Sequence, residues 1–333
     1  MMDYAKGNHE ILGNESMFLM PWREGGEQHP VAERMRGIAS LRFYRTAEER
    51  EGILKEEKAD FFYCIKNGFN DGVFSRNVTT GIHAIFRESE FHGDIYAYVS
   101  PWLSEVMAYG KAPWVPHMVR LADEGGNLRA EIGIPKNEVV FGRHGGDDSF
   151  DIPWVQRAVV ETARKHPQIW FLFLNTRKFS GATSLPNIRF LSATADPIRK
   201  RLFLNSCDAM LHGRMRGETF GLSCLEFAII GKPVLTYAGS AERAHLEILG
   251  DTAVLYQNAQ ELCEFLRHPA TRGGQRAEDG GQRTEVGSRK SETDRQPATD
   301  NRQPLNTERS VAHNFKEYQP EAVMQKFEQV FLK

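Results

Sequence analysis

The chain has 333 residues, 41% of them hydrophobic and 26% charged, with a formal net charge of −2. Its length exceeds the ~250 residues beyond which one core rarely grows, so two domains are expected. The near-neutral charge gives no reason to expect a nucleic-acid partner, and no run reaches the roughly 18 apolar residues of a membrane span.

Residues 1–38 show little periodicity, and GGEQHP reads as loop. LRFYR (41–45) then predicts a strand, and TAEEREGILKEEKA (46–59) a charged helix opened by Thr46. DFFYCI (60–65), GIHAIF (81–86) and DIYAYVS (94–100) predict further strands, followed by a helix from Pro101 to Ala108. Apolar strands alternating with helices predict a parallel sheet covered on both faces. A second such unit starts near Asn137. It runs through strand NEVVFG (137–142), helix IPWVQRAVVETARKH (152–166), strands IWFLFLN (169–175) and IRFLSA (188–193), helix PIRKRLFLNSC (197–207), strand DAMLH (208–212), helix GLSCLEFAII (221–230), strand KPVLTY (232–237) and helix NAQELCEFLRH (258–268). The expected fold class is therefore α/β, with two Rossmann-like domains and a cleft between them.

Residues 269–310 break this pattern. From Gly273 they form a decaying seven-residue repeat (GGQRAED, GGQRTEV, GSRKSET, DRQPATD, NRQPLNT) without the apolar spacing of a coiled coil. A disordered polar insertion is expected there, and YQPEAVMQKFEQVFLK (318–333) predicts a closing amphipathic helix. Cys64, Cys207, Cys224 and Cys263 form no C-x-x-C pair and read as free thiols. The first residues lack the layout of a signal peptide, so cytoplasmic location is expected.

The informative stretch is HGRMRGETFGLSCLEFAIIGKPVLT (212–236). A strand ends at His212, and Glu218-Thr219-Phe220-Gly221 leads directly into a helix. Backbone amides around Thr219, Phe220, Gly221 and Leu222 would be the unpaired donors of that helix start. Together with the helix dipole they suit a diphosphate, and Gly221 lets it approach closely. Glu226, on an otherwise apolar helix, needs donors, and a ribose diol supplies two. Glu218 at the helix mouth could hold hydroxyls of a sugar beyond the phosphates.

The spacing E-x7-E within E-x-F-G-L-x-x-L-E, followed by G-K-P-V, resembles the donor-site signature of retaining GT-B glycosyltransferases, in particular glycosyltransferase family 4. AYVSPWLSE (97–105), WVPHMV (114–119) and LRAEIGIPKNEVVFGRHGG (128–146) resemble, in order, the end of the family's first domain, its crossover and its first donor-domain strand. The resemblance implies an acceptor-side domain over 1–118, a donor domain over 119–268, the insertion at 269–310 and a helix over 311–333 that crosses back. It implies transfer of a hexose from a nucleoside-diphosphate sugar to a glycan, lipid-linked or small-molecule acceptor hydroxyl, with retention. No cofactor and no metal are expected, no nucleic acid is a partner, and peripheral membrane contact stays open. Arg143, with Gly145 and Gly146 beside it, would contact the diphosphate and assist its departure; His212 would touch sugar or phosphate. A histidine of the first domain, His83 or His92, would face the transferred sugar.

The chain departs from the family at three points. Asp148 and Ser149 stand where a lysine usually follows that arginine, so Arg214, Arg216 or Lys178 would have to replace its charge. His117 stands for the asparagine of P-N-G-V, and the opening strand with its glycine loop is missing. Two alternatives are therefore a non-catalytic nucleotide-sugar-binding protein and another GT-B enzyme, such as an epimerase or a phosphorylase.

Overall fold

The computed structural model describes residues 1–268 and 315–333. It opens with helix α1 (Met2–Glu10), strand β1 (Met17–Pro21), helix α2 (Pro30–Arg36) and strand β2 (Ser40–Tyr44), the two strands pairing in parallel. This β-α-β unit corrects the expectation that no opening strand exists. Of the five β1 residues only Phe18 is buried and the last is a proline, so the strand carries neither a buried run nor an alternation long enough to read.

Helix α3 (Ala47–Glu56), strands β3 (Phe61–Lys66), β4 (Thr79–Ala84) and β5 (Ile95–Tyr98), and helix α4 (Pro101–Ala108) follow. Both helices start where the sequence places a hydroxyl cap. Thr46 Oγ1 accepts from the Glu49 amide at 3.2 Å, and Ser100 Oγ from the Leu103 amide at 3.1 Å. Strands β3, β4 and β5 form a three-stranded parallel sheet separate from the β1–β2 pair.

The C-terminal half contains β6 (Val139–His144), α5 (Pro153–Lys165), β7 (Ile169–Leu174), β8 (Ile188–Leu191), α6 (Pro197–Ser206), β9 (Ala209–His212), β10 (Gly217–Glu218), α7 (Leu222–Ile229), β11 (Val234–Tyr237), β12 (Glu242–Arg243), α8 (Ala244–Leu249), β13 (Ala253–Tyr256) and α9 (Ala259–Arg267). Six of these strands form one parallel sheet in the order β13-β11-β9-β6-β7-β8. From β6 the chain winds outward through β7 and β8, then returns to β9 on the other side of β6. This is the doubly wound order, and its reversal opens a crevice past the carboxyl ends of β6 and β9. Every residue of β7 is buried, as its unbroken apolar run requires in a sheet covered on both faces.

One face of this sheet has its own core, including Phe141, Phe171, Phe173, Val159 and Leu262. The other shares a continuous cluster with the N-terminal half, from Tyr98 and Leu103 to Leu172, Phe203 and Leu225. After residue 314, a turn at Lys316–Tyr318, helix α10 (Pro320–Phe327) and a π-type turn (Glu328–Leu332) lie against the N-terminal half. The Phe327 and Phe331 rings sit 5.0 and 5.4 Å from the Tyr63 ring, and the Val119 amide donates to the Tyr318 carbonyl at 2.8 Å. The closing helix thus packs on the N-terminal half; the polar insertion expected at 269–310 lies outside the described residues.

Candidate functional site

The carboxyl ends of β6 and β9 deliver Arg143, His144 and His212 to the crevice, and α7 starts just beyond β10. Gly221 is the N-cap of α7, with φ +92° and no side chain to satisfy the first-turn amides. An added Cβ would lie 2.5 Å from His245 Cβ, so both the conformation and the space demand glycine. The amides that open α7 thus lack a side-chain acceptor of their own, and Leu222 beside them is 38% exposed.

The two acids flank this helix start. Glu226 is buried, and its Oε1 accepts from Lys200 Nζ at 2.5 Å. Its Oε2 lies 2.9 Å from His144 Nε2, but without hydrogen-bond alignment, so both atoms are buried without a hydrogen-bond partner. Burial pushes this carboxyl up; His144 and Lys200 outweigh burial and hold it below the usual carboxylate range. Glu218 is more open. Its Oε2 accepts from Arg214 Nη1 at 2.6 Å, and its Oε1 lies 3.3 Å from His212 Nε2. Here too burial raises the carboxyl, while His212 and Arg214 bring it below the ordinary range.

Arg143 is almost fully buried. Its Nη1 donates to the Asn175 carbonyl at 3.4 Å and Thr176 Oγ1 at 2.6 Å, and its Nη2 to the Gly146 carbonyl at 3.0 Å and Ser149 Oγ at 2.5 Å. Four of its five N–H donors are thus engaged inside the protein. Burial pushes its pKa down to about 10 against the opposing pull of Glu218. In this conformation Arg143 braces the Gly145-Gly146 loop and the 175–176 turn; it does not extend its fork into the crevice.

Thr219 and Phe220 join the two halves. Thr219 Oγ1 donates to the Ile85 carbonyl at 2.7 Å, and Ser100 Oγ donates to the Thr219 carbonyl at 2.6 Å. The Phe220 ring packs 5.1 Å from His117 and 5.8 Å from Tyr318. His117 is partly buried, and desolvation pushes its pKa well down.

His83 requires a correction. It was expected to face the transferred sugar, but it is fully buried, with Nδ1 2.7 Å from the Tyr63 hydroxyl and Nε2 2.8 Å from the Val115 carbonyl. The rings of Tyr4, Tyr63, His117 and Phe331 surround it, and burial pushes its pKa down to about 4. A strand buried on both faces leaves no exposed position for it. His92, the other candidate, is also buried, with Nδ1 against the Glu90 carbonyl at 2.6 Å.

Of the cations expected to replace the missing lysine, Arg214 meets Glu218, Arg216 Nε meets Glu242 at 2.8 Å, and Lys178 is exposed. Lys200 and His144 beside Glu226, and Thr236 and His245 behind His212, carry no local sequence signal. They arrive from α6, β6, β11 and α8, and only the sheet order brings them together. Among the described residues, no three His, Cys, Asp or Glu side chains are arranged to hold a metal, and no helix is long and apolar enough to cross a membrane.

A doubly wound six-stranded sheet joined to a second parallel α/β unit, with the last helix returned to the first half, is the GT-B fold. No family model matches the sequence, and neither does any curated protein. Among solved structures, a glycosyltransferase from Rickettsia africae is similar with a TM-score of 0.65 at 11% identity, over 99% of this chain and 93% of that one. Anabaena Alr3699/HepE in complex with UDP and glucose gives 0.63 at 12% identity, over 98% and 93%. A putative UDP-N-acetylglucosamine 2-epimerase from Listeria monocytogenes gives 0.53 at 14% identity, over 80% and 83%. At identities this low the likeness is one of fold.

Proposed function

We propose that the chain binds a nucleoside-diphosphate sugar in the crevice past β6 and β9 and transfers its hexosyl group to an acceptor hydroxyl with retention of configuration. The carrying observation is the pair of ionised carboxylates, Glu226 buried and Glu218 partly open, on either side of a helix start whose glycine cap offers its amides no side-chain acceptor. Glu226 would hold the ribose diol, the amides opening α7 the diphosphate, and Glu218 the sugar hydroxyls. The charge of the departing diphosphate would be met mainly by those amides and the helix dipole, with Arg143 stiffening the loop beneath. Residues 1–118 would form the acceptor side and 119–268 the donor side, without a metal or cofactor. The Anabaena neighbour's UDP and glucose make a UDP-sugar the first donor to test.

Calorimetry against UDP-, GDP- and ADP-sugars tests the binding half of this reading. Glu226→Ala removes two charge-assisted hydrogen bonds and should weaken the bound nucleotide by about tenfold or more; unchanged affinity would refute the ribose assignment. Glu218→Ala should depress sugar transfer more than affinity for free nucleotide, and equal loss of both would contradict its role.

One observation favours a second reading, nucleotide-sugar binding without turnover. With Arg143 engaged inside the protein, no arginine of β6 is free to follow the leaving group. Tight donor binding with no release of nucleoside diphosphate, across a panel of acceptors, would select it.

A further inference from the structure

Behind Glu218 lies a buried chain of side chains that the donor-site assignment does not use. His212 Nε2 faces Glu218 Oε1 at 3.3 Å, and His212 Nδ1 faces Thr236 Oγ1 at 2.8 Å. Thr236 Oγ1 in turn meets His245 Nε2 at 3.1 Å. Thr236 and His245 are fully buried, and the two imidazole rings lie 4.8 Å apart. His245 Nδ1 is buried with no partner.

The donors in this chain can be ordered by elimination. An ionised Glu218 only accepts, so the hydrogen between it and His212 is on Nε2. A neutral His212 is then bare at Nδ1 and accepts from the Thr236 hydroxyl. The Thr236 oxygen is left as acceptor for the Nε2 hydrogen of His245, whose Nδ1 carries none. Every donor therefore points towards Glu218. A second proton on His212 would reverse the Thr236 hydroxyl and move the hydrogen of His245 to Nδ1, where a buried N–H would face no acceptor. The charged groups around this chain are Glu218 and Arg214 at its open end, Arg143 at the end of the neighbouring strand β6, which couples to both, and Arg243 at the start of α8. Two of the links also support the site's frame. His245 packs against Gly221, the cap of α7, and the Tyr256 hydroxyl donates to the His212 carbonyl at 2.6 Å.

We infer that Thr236 and His245 are positioning residues, which fix His212 as the neutral Nε2–H tautomer and so hold the Glu218 carboxylate aimed at the hydroxyls of the donor's sugar. This rests on the proposed donor site. It assigns the relay to recognition of the sugar, a ring bearing neighbouring hydroxyl donors, and not to recognition of the nucleotide. With Oε1 held by His212 and Oε2 by Arg214, each oxygen keeps a lone pair for a sugar hydroxyl.

The test compares wild type with Thr236→Val, which keeps shape and loses the hydroxyl, and Thr236→Ser, which keeps the hydroxyl. Imidazole nitrogen NMR on the full chain, without ligand, reads the tautomer of His212. Calorimetry with UDP and UDP-glucose reads how much affinity the sugar adds. Wild type should show the Nε2–H form, and Thr236→Val a mixture of tautomers. Thr236→Val should bind UDP-glucose about tenfold more weakly with UDP unchanged, and Thr236→Ser should restore both readouts. A His212 tautomer indifferent to Thr236→Val, or equal losses for UDP and UDP-glucose, would overturn the inference. If wild type binds neither ligand nor the guanosine and adenosine counterparts, the donor-site reading fails, and the tautomer measurement alone decides whether the relay exists.

Discussion

The C-terminal half covers six parallel strands with helices on both faces. The N-terminal half has a three-stranded sheet and a separate pair, and takes part of its cover from residues 316–332. In the first, long apolar runs such as Ile169–Leu174 close a core from neighbouring sequence. In the second, Tyr4 near the start and Phe327 and Phe331 near the finish close the core around Tyr63 and His83. A thin sheet becomes stable when distant chain segments serve as its missing layer, which places its weakest points far from the sheet in sequence.

The largest expected effect tests that dependence. Phe331→Ala removes a buried ring of the N-terminal cluster and should cost roughly 3–5 kcal/mol in urea unfolding; a cost below about 1 kcal/mol would show that the closing turn is dispensable cover. Acid should strike the same half next. His83 is held neutral down to about pH 4, whereas the unfolded chain's histidine takes up its proton near 6.5. Between those values the unfolded state binds more protons, so stability falls as pH falls, by roughly 3 kcal/mol from this group. His83→Gln should flatten that limb of a pH–stability curve, and an unaltered limb would remove His83 as its cause. The C-terminal half is tested by Gly142→Ala in β6. The added methyl would overlap Cys207 Sγ and sit 2.9 Å from Cys207 Cβ and 3.1 Å from Phe227. Overpacking should cost about 1–3 kcal/mol by the same unfolding measurement, and a neutral result would mean this core yields more readily than a close-packed sheet allows.

The same contrast governs what could be read from the sequence. Buried runs and the glycine-opened helix at Gly221 are local signals that make the doubly wound half legible nearly intact, while hydroxyl caps at Thr46 and Ser100 mark two helices of the N-terminal half. Strand β13 (AVLY) and helix α8 carry no such signal, because one has only Tyr256 fully buried and the other is six residues long. The positions of Glu218 and Glu226 were legible from E-x7-E, but their partners were not. Lys200 reaches Glu226 from α6, and His245 on α8 stands behind Glu218 only through Thr236 and His212; nothing in TADPIRKRLF or AERAHLEIL marks those side chains. His83 lies within the apolar run GIHAIF, whose burial on both faces makes it a core residue.

The return of residues 315–332 to the N-terminal half has a mechanical consequence. The bond from the Val119 amide to the Tyr318 carbonyl ties this closing segment to the segment that leads from the N-terminal half into the C-terminal half. On the crevice side, the bonds from Thr219 to the Ile85 carbonyl and from Ser100 to the Thr219 carbonyl are the matching ties, so the halves are pinned at two separate places.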